Sequence, residues 1–126
     1  MTFYKCIKCG KVLEEIVSKE STTTCCGQGM FELKANVEDA SVEKHVPVIA
    51  INNNIIAVSV GEILHPMDED HYIAFICVET TEGNYKKMLK PGSTPFAEFP
   101  LKISEEVLNI YAYCNVHGLW KKEGIK

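Results

Sequence analysis

The sequence predicts an all-β protein with two parts, a small cysteine-rich module over residues 1–36 and a larger antiparallel β domain over 37–126. Four of the six cysteines lie within the first 26 residues. From about residue 42 the chain consists of short segments rich in β-branched and aromatic residues, separated by turn-forming residues. No long segment has apolar residues at helical spacing, and the best candidate, 104–113, has the β-branched and aromatic content of a strand.

In the N-terminal part, the segment YKCIKCGKVLEEI predicts a strand, a tight turn closed by Gly10, and a second strand. The segment STTTCCGQGM then returns two more thiols in a turn-rich context. So short a piece of chain cannot bury enough apolar surface to fold by itself, and a structural metal is the usual remedy. We therefore expect a metal in this module.

The larger part contains six segments with strand character and turn residues between them. These segments are KHVPVIAI, NIIAVSV, HYIAFICVET, NYKKML, FAEF and VLNIYAYC. Strands at such regular spacing predict an antiparallel sandwich or barrel. Cys77 lies within one of these strands and is expected to be a buried core thiol.

Composition excludes several classes of protein. A formal net charge of −4 argues against a nucleic-acid surface, because phosphate binding requires clustered Lys and Arg. No apolar run approaches the length of a membrane helix, and the N-terminal residues lack the apolar region of a signal peptide. We expect a cytoplasmic protein, and in a reducing compartment six cysteines indicate metal or redox chemistry.

The first four cysteines are candidates for one metal site. Cys6 and Cys9 have the spacing of a metal-binding turn, and Cys25 and Cys26 return after fifteen residues. Four thiolates suit a closed tetrahedral site for zinc or iron, with buried free thiols or a disulfide as the alternative. Adjacent cysteines are unusual for a zinc ribbon, strain the backbone, and resemble the desulforedoxin module, which binds a single iron.

A second set of candidate ligands comes from the β domain, where each histidine adjoins a predicted strand end or turn. Any one of them could be a structural imidazole, but together they form a set with one distant cysteine. The set is His45, His65, His71, Cys114 and His117. Five such ligands exceed what structural zinc requires and leave a sixth position open, which is typical of a catalytic metal site.

The motifs EKHVPVI, HPMDEDHYI and YCNVHGLWK, in this order after a CxxC and CC module, resemble desulfoferrodoxin, the two-iron class of superoxide reductase. The resemblance covers nearly the whole chain. It implies a desulforedoxin-like iron module, an immunoglobulin-like seven-stranded β-sandwich and a homodimer. It also implies two mononuclear iron sites, FeCys4 and FeHis4Cys, with four equatorial histidines and Cys114 axial.

The same resemblance assigns roles to two charged residues. Lys44 would attract the superoxide anion, and Glu43 would bind the oxidised iron. It further implies that backbone N–H groups of Val116 and His117 bond to the Cys114 sulfur, and that a small carrier such as rubredoxin donates electrons. Without the resemblance, Glu43 and Lys44 would be read as a solvated charge pair before a strand.

Three other functions remain open at this point. The chain could be a two-zinc structural or binding protein, an iron electron-transfer protein without a substrate of its own, or a superoxide dismutase. Trp120, just after the last candidate ligand, is expected to pack against the ligand turn and hold it.

Overall fold

The computed structural model describes residues 1–124, which are almost entirely β-structure. The chain divides into two compact units, Met1–Lys34 and a second unit that begins at Ala35. In the part of the chain that is described, the structure has no helix long and apolar enough to cross a membrane.

The first unit contains five short strands, β1 (Thr2–Lys5), β2 (Val12–Glu15), β3 (Thr24–Cys25), β4 (Gln28–Gly29) and β5 (Phe31–Glu32). Strand β1 pairs with β2 and β5, while β3 and β4 form a small hairpin. Gly10 closes the predicted turn with a φ of 82°, and its N–H donates to the Cys6 carbonyl at 2.9 Å. Phe3 and Cys6 are its buried apolar residues among those described, which is a very small core.

The second unit is a seven-stranded antiparallel sandwich, as expected. Its strands are β6 (Pro47–Asn52), β7 (Ile55–Val60), β8 (Ile73–Thr80), β9 (Asn84–Met88), β10 (Phe96–Pro100), β11 (Val107–Cys114) and β12 (Gly118–Glu123). One sheet has the order β10-β7-β6, and the other has the order β12-β11-β8-β9. This arrangement of three and four strands is immunoglobulin-like, with a core formed where the two sheets face each other.

Two local features differ from the sequence predictions. Residues 44 and 45 do not begin a strand but belong to a one-turn helix, α1 (Val42–His45). The helix ends there because Pro47 disfavours a helical backbone at Val46, whose φ of −74° and ψ of 127° are extended. Strand β12 was not predicted, because its polar Lys121 to Glu123 portion lacks strand character when read without its partner β11.

The strand pairings bring particular strand ends together. In the first sheet Pro47 pairs with Val60, so the start of β6 lies beside the end of β7. In the second sheet Cys114 is opposite both Ile73 and Gly118, so the end of β11 lies between the starts of β8 and β12. These strand ends carry the residues that were predicted to bind metal.

Candidate metal centres

In the first sheet, the paired ends of β6 and β7 position two histidines. His45 is the last residue of α1, and His65 follows the turn after β7. The His65 N–H donates to the Val60 carbonyl at 3.0 Å, which fixes the start of the ligand loop. Both side chains are 3% exposed, and their Nε2 atoms are 3.1 Å apart.

In the second sheet, three adjacent strand ends position the remaining ligands. His71 precedes β8, Cys114 ends β11, and His117 precedes β12. The Nδ1 atom of His117 is 3.1 Å from Nε2 of His45 and 4.0 Å from the Cys114 sulfur. The cluster that contains His45, His65, His71 and Cys114 has its ligand atoms within 4.8 Å of one another, so the predicted set does converge.

Hydrogen bonds to backbone carbonyls fix the protonation of two of these rings. Nδ1 of His45 is 2.6 Å from the Ser41 carbonyl oxygen, and Nδ1 of His65 is 2.7 Å from that of Pro66. A carbonyl can only accept, so each Nδ1 carries the proton. Burial lowers the pKa of His45, and lowers that of His65 to about 4, so both rings are neutral near pH 7.

The positions of these protons indicate whether the histidine cluster can hold a metal ion. Each Nε2 has a lone pair and no proton, so the 3.1 Å contact between His45 and His65 cannot be a hydrogen bond. Nε2 of His71 is also buried and has no hydrogen-bond partner among the described residues. A cation between the rings satisfies all of these lone pairs at once, and neutral imidazoles held by second hydrogen bonds are what a metal centre requires.

The sulfur of Cys114 completes the cluster from the end of β11. Cys114 is fully buried, and the His117 N–H donates a hydrogen bond to its Sγ atom at 3.3 Å. That bond agrees with what the family resemblance implied; the corresponding bond from Val116 stays a prediction. A donated hydrogen bond draws electron density from a thiolate and so tunes its bond to a metal.

Asn115 holds two ligand loops together, and the sequence analysis did not single it out. Its Oδ1 accepts the Tyr72 N–H at 2.9 Å, and its Nδ2 donates to the Asp70 carbonyl at 3.1 Å. Its own N–H donates to the Tyr72 carbonyl at 3.2 Å. Asn115 therefore joins the loop of His71 to the turn of Cys114. In the sequence, the one indication of this role is that Asn115 lies between the candidate ligands Cys114 and His117.

Trp120 packs against the centre as expected. Its indole is 2% exposed and stacks on the His45 ring with centroids 4.8 Å apart and planes inclined by 27°. Its Nε1–H donates to the His117 carbonyl at 3.1 Å. The side chain thus supports one ligand by stacking and another by hydrogen bonding.

The helix α1 places Glu43 and Lys44 next to the cluster. Both residues are exposed, while His45, the next residue, is buried. The Glu43 carbonyl accepts the Ile63 N–H at 3.1 Å, which ties α1 to the turn after β7. Lys44 directly precedes the buried His45 on this one-turn helix, so the helix carries a positive charge next to a ligand residue.

The four N-terminal cysteines also converge. The sulfur atoms of Cys9 and Cys25 are 3.7 Å apart, and those of Cys25 and Cys26 are 3.8 Å apart. All four sulfur atoms lie within 4.8 Å of one another. Tetrahedral coordination with metal–sulfur bonds of about 2.3 Å gives sulfur–sulfur distances of about 3.8 Å, so the spacing suits one metal ion.

The adjacent pair has the backbone strain that was expected. Cys26 has a φ of 54°, which is uncommon for a residue other than glycine, and Gly27 follows with a φ of 77°. This backbone turn brings neighbouring thiols to one point. Contact with the Cys9 side chain raises the pKa of the Cys25 thiol to about 12, whereas the backbone N–H of Cys9 lowers that of Cys6 to about 7. Without a cation, the four thiols cannot all ionise.

Cys77 lies in β8 and is fully buried, as predicted for a core thiol. It belongs to neither of the two ligand clusters found among residues 1–124. No disulfide links the cysteines in this range. The cysteines are therefore divided between two clusters and the core.

Comparison with known proteins agrees with this geometry. The family model for desulfoferrodoxin matches residues 37–123. A desulfoferrodoxin from Nitratidesulfovibrio vulgaris is 43% identical over 120 residues, covering 95% of this chain and 94% of the relative. A desulfoferrodoxin homolog from Archaeoglobus fulgidus is 41% identical over 121 residues, covering 96% and 95%.

Among solved structures, a superoxide reductase from Treponema pallidum is similar with a TM-score of 0.80 and 29% identity. The match covers 96% of this chain and 98% of the other. The Cys6 to Cys26 cluster and the histidine cluster with Cys114 match the two iron sites of desulfoferrodoxin. Family model, relatives and both metal centres agree: the chain belongs to the desulfoferrodoxin family.

Proposed function

We propose that this protein is a superoxide reductase. In this reaction one superoxide ion takes up one electron and two protons and becomes one hydrogen peroxide molecule. The proposal is supported by the superoxide reductases among the protein's relatives and structural neighbours, such as those of Pyrococcus horikoshii and Treponema pallidum. Bound iron would supply the electron.

One observation carries the proposal. His45, His65, His71 and Cys114 converge with His117 at one end of the sandwich, and the unprotonated Nε2 atoms of His45 and His65 lie 3.1 Å apart within this cluster. Four neutral imidazoles and one thiolate are five donors with only one negative charge, a set that favours a ferrous ion and leaves a coordination position open. We propose all five as ligands of the catalytic iron and Cys6, Cys9, Cys25 and Cys26 as ligands of the other.

The residues around the open position have separate tasks in this proposal. Lys44 supplies the local positive charge that draws an anion to a protein whose net charge is −4. Glu43 is a further oxygen ligand for the oxidised metal. The buried walls formed by Trp120 and the strand ends limit water at the ligands.

The remaining features of the proposal come from the family. They are a desulforedoxin-like module over 1–36, a catalytic domain over 37–126, a homodimer and an electron donor such as rubredoxin. A cytoplasmic location is supported by cysteines that form metal clusters and not disulfides within residues 1–124.

The direct test is pulse radiolysis of protein whose iron content has been measured. A superoxide reductase consumes superoxide in a second-order reaction and forms one hydrogen peroxide for each superoxide, with no oxygen evolved. Oxygen evolution would indicate a dismutase, absence of reaction would indicate an electron carrier, and zinc in place of iron would indicate a structural protein.

Two buried cysteines provide a matched pair of variants for this test. Cys114→Ser should abolish the reaction, because it removes a proposed ligand, whereas Cys77→Ser should retain it, because Cys77 lies in the core outside both clusters. An equal loss of the reaction with superoxide in both variants would indicate that the reaction depends on core packing and not on Cys114 as a ligand.

A further inference from the structure

We propose that Gly61 is a positioning residue for the reaction, in that its missing side chain allows the Glu43–Lys44 segment to lie against the turn of residues 61–64. This inference rests on the proposed role of Lys44. The turn, called the Gly61 turn below, follows β7 directly. In this role Gly61 acts through the backbone of α1.

The Glu43–Lys44 segment has few anchors of its own. The helix α1 is one turn long, and the Ser41 side chain gives it no capping hydrogen bond. The side chains of Glu43 and Lys44 are exposed and do not pack into the core. The position of these two charges therefore depends on contacts made by their backbone.

The Gly61 turn provides such a contact. The Ile63 N–H donates to the Glu43 carbonyl oxygen at 3.1 Å. Because Glu43 and Lys44 lie on the same helical turn, this bond holds both of them relative to β7. The same turn leads into His65, whose N–H bonds to Val60, so one short segment positions a proposed ligand and the proposed anion-attracting charge.

Only glycine fits at position 61. A Cβ atom there would lie 2.7 Å from the Glu43 carbonyl oxygen and 2.7 Å from Cα of Lys44, and closer still to the carbonyl oxygen of Ile63. All of these are backbone atoms, which cannot move aside as a flexible side chain would. An added methyl group must therefore push α1 away from the turn or distort the turn itself.

A matched glycine separates this contact from ordinary backbone strain. Gly61 has a φ of 89° and Gly92 has a φ of 90°, so alanine is unfavourable for the backbone at both positions. A Cβ at Gly92 would meet nothing within 4 Å. Gly92→Ala is thus the control for Gly61→Ala.

The experiment measures the second-order rate with superoxide, its ionic-strength dependence and the iron content of four proteins. They are the wild type, Gly61→Ala, Gly92→Ala and Lys44→Ala. Gly61→Ala should slow the reaction several-fold and flatten its dependence on ionic strength. The loss of rate should be no larger than that in Lys44→Ala, because it is the local charge of Lys44 that accelerates association, by roughly 10-fold or more. Gly92→Ala should react like the wild type, and a slow Gly92→Ala would overturn the inference.

The double variant Gly61→Ala, Lys44→Ala distinguishes positioning from a general structural effect. If Gly61 acts by placing Lys44, the double variant should be no slower than Lys44→Ala alone, because the charge that was misplaced is absent. Additive losses would overturn the inference. An unchanged rate in Lys44→Ala would instead refute the role of Lys44 in the proposed function.

A second measurement applies even if Gly61→Ala fails to fold or to take up iron. Hydrogen exchange of the wild-type, iron-loaded protein should show the Ile63 amide as protected as strand amides, although Ile63 is 54% exposed. Rapid exchange of that amide would show that the Gly61 turn does not hold Glu43, and the inference would fall whatever the rates are.

Discussion

At the scale of single residues, the proton on each histidine ring determines what the second cluster can bind. Ser41 and Pro66 accept hydrogen bonds from Nδ1 of His45 and His65, which leaves each Nε2 with a lone pair directed into the cluster. Two such nitrogen atoms at 3.1 Å repel unless a cation lies between them. Exposed charged residues beside these buried histidines then influence which small molecule reaches the metal.

Lys44→Ala should slow the second-order reaction with superoxide by about ten-fold and flatten its dependence on ionic strength. The physical reason is that the variant removes a local positive charge from a protein of net charge −4. Pulse radiolysis at several salt concentrations measures both effects. Lys44→Arg, which keeps the charge, is the control, and an unchanged rate in Lys44→Ala removes Lys44 from the mechanism.

Glu43→Ala should leave the rate of the first step within about two-fold of the wild type, since the approach of the anion depends on charge at Lys44. It should shift the absorption band of the oxidised iron, because a carboxylate oxygen ligand would be lost. Spectra of the oxidised protein check this, with Glu62→Ala as an exposed neighbouring control. A band that stays in place means that Glu43 is not a ligand.

At the scale of secondary-structure elements, the strand ends form the proposed catalytic centre and loop contacts keep them aligned. The pairing of Cys114 with Ile73 and Gly118 places three ligands at neighbouring strand ends. Asn115 adds hydrogen bonds across the same end. At the other end of β8 and β11, the buried carboxylate of Glu105 likewise holds loop and strand together through hydrogen bonds, but no proposed metal ligand lies there.

Asn115→Ala should lower the free energy of unfolding by about 1–3 kcal/mol, because two side-chain hydrogen bonds are lost. It should also weaken iron binding by roughly ten-fold or more, since the loop of His71 is released. Urea denaturation and competition with a chelator measure the two effects.

Asn109→Ala is the matched control for that variant. Asn109 lies on the same strand β11 and donates one side-chain hydrogen bond to Glu79 at 2.8 Å. We expect a small loss of stability and unchanged iron affinity. Equal loss of iron in both variants would mean that Asn115 has no specific role at the centre.

Glu105 should make the sandwich sensitive to acid. Its carboxylate accepts hydrogen bonds from the Thr80 hydroxyl, from the Tyr85 hydroxyl at 2.7 Å and from the Lys102 N–H at 2.9 Å. These bonds, that of Thr80 first, lower the pKa of Glu105 below its ordinary value of 4.5. A lowered pKa stabilises the fold above that value, and the contribution is lost as the pH falls below it.

The measurement is urea denaturation between pH 6 and pH 3 for the wild type and Glu105→Gln, whose amide cannot ionise. The wild type should lose stability below about pH 4.5 more steeply than the variant does. Glu106→Gln is the control, because Glu106 is the next residue in the chain and its side chain is exposed. Parallel curves for the wild type and Glu105→Gln would contradict the prediction.

At the scale of the whole molecule, the two units depend on different forces. The second unit has a contiguous apolar core between two sheets, including Ile56, Val58, Ile76 and Ile110. Phe3 and Cys6 form the small buried set of the first unit. A structural metal contributes on the order of 10 kcal/mol to the folding of such small modules, so the first unit should require its iron.

Cys9→Ser should therefore reduce the iron content from two atoms per chain to one and unfold residues 1–34. The core of the second unit should persist, because its apolar contacts do not involve that metal. Iron analysis and hydrogen exchange measure these outcomes, and Cys77→Ser serves as a control outside both clusters. Full protection of residues 1–34 in Cys9→Ser would show that the first unit folds without metal.

The sequence by itself determined the fold class, the two ligand sets and the family. Alternating strand segments predict a sandwich because side-chain burial in a sheet has a period of two. Ligand residues are recognisable because few residue types bind iron and these occur in characteristic short motifs.

Only the tertiary structure decided the remaining features. The Asn115 bridge and the packing at Gly61 each depend on a partner distant in the chain. The helix α1, the strand β12 and the histidine tautomers depend on hydrogen bonds to backbone groups, which residue types alone do not specify. Local sequence contains no record of such partners, because Ile63 becomes the donor to Glu43 only after β6 and β7 have paired. Ligand identity is thus a local property of the chain, while the placement of ligands and charges is a property of the assembled sheets.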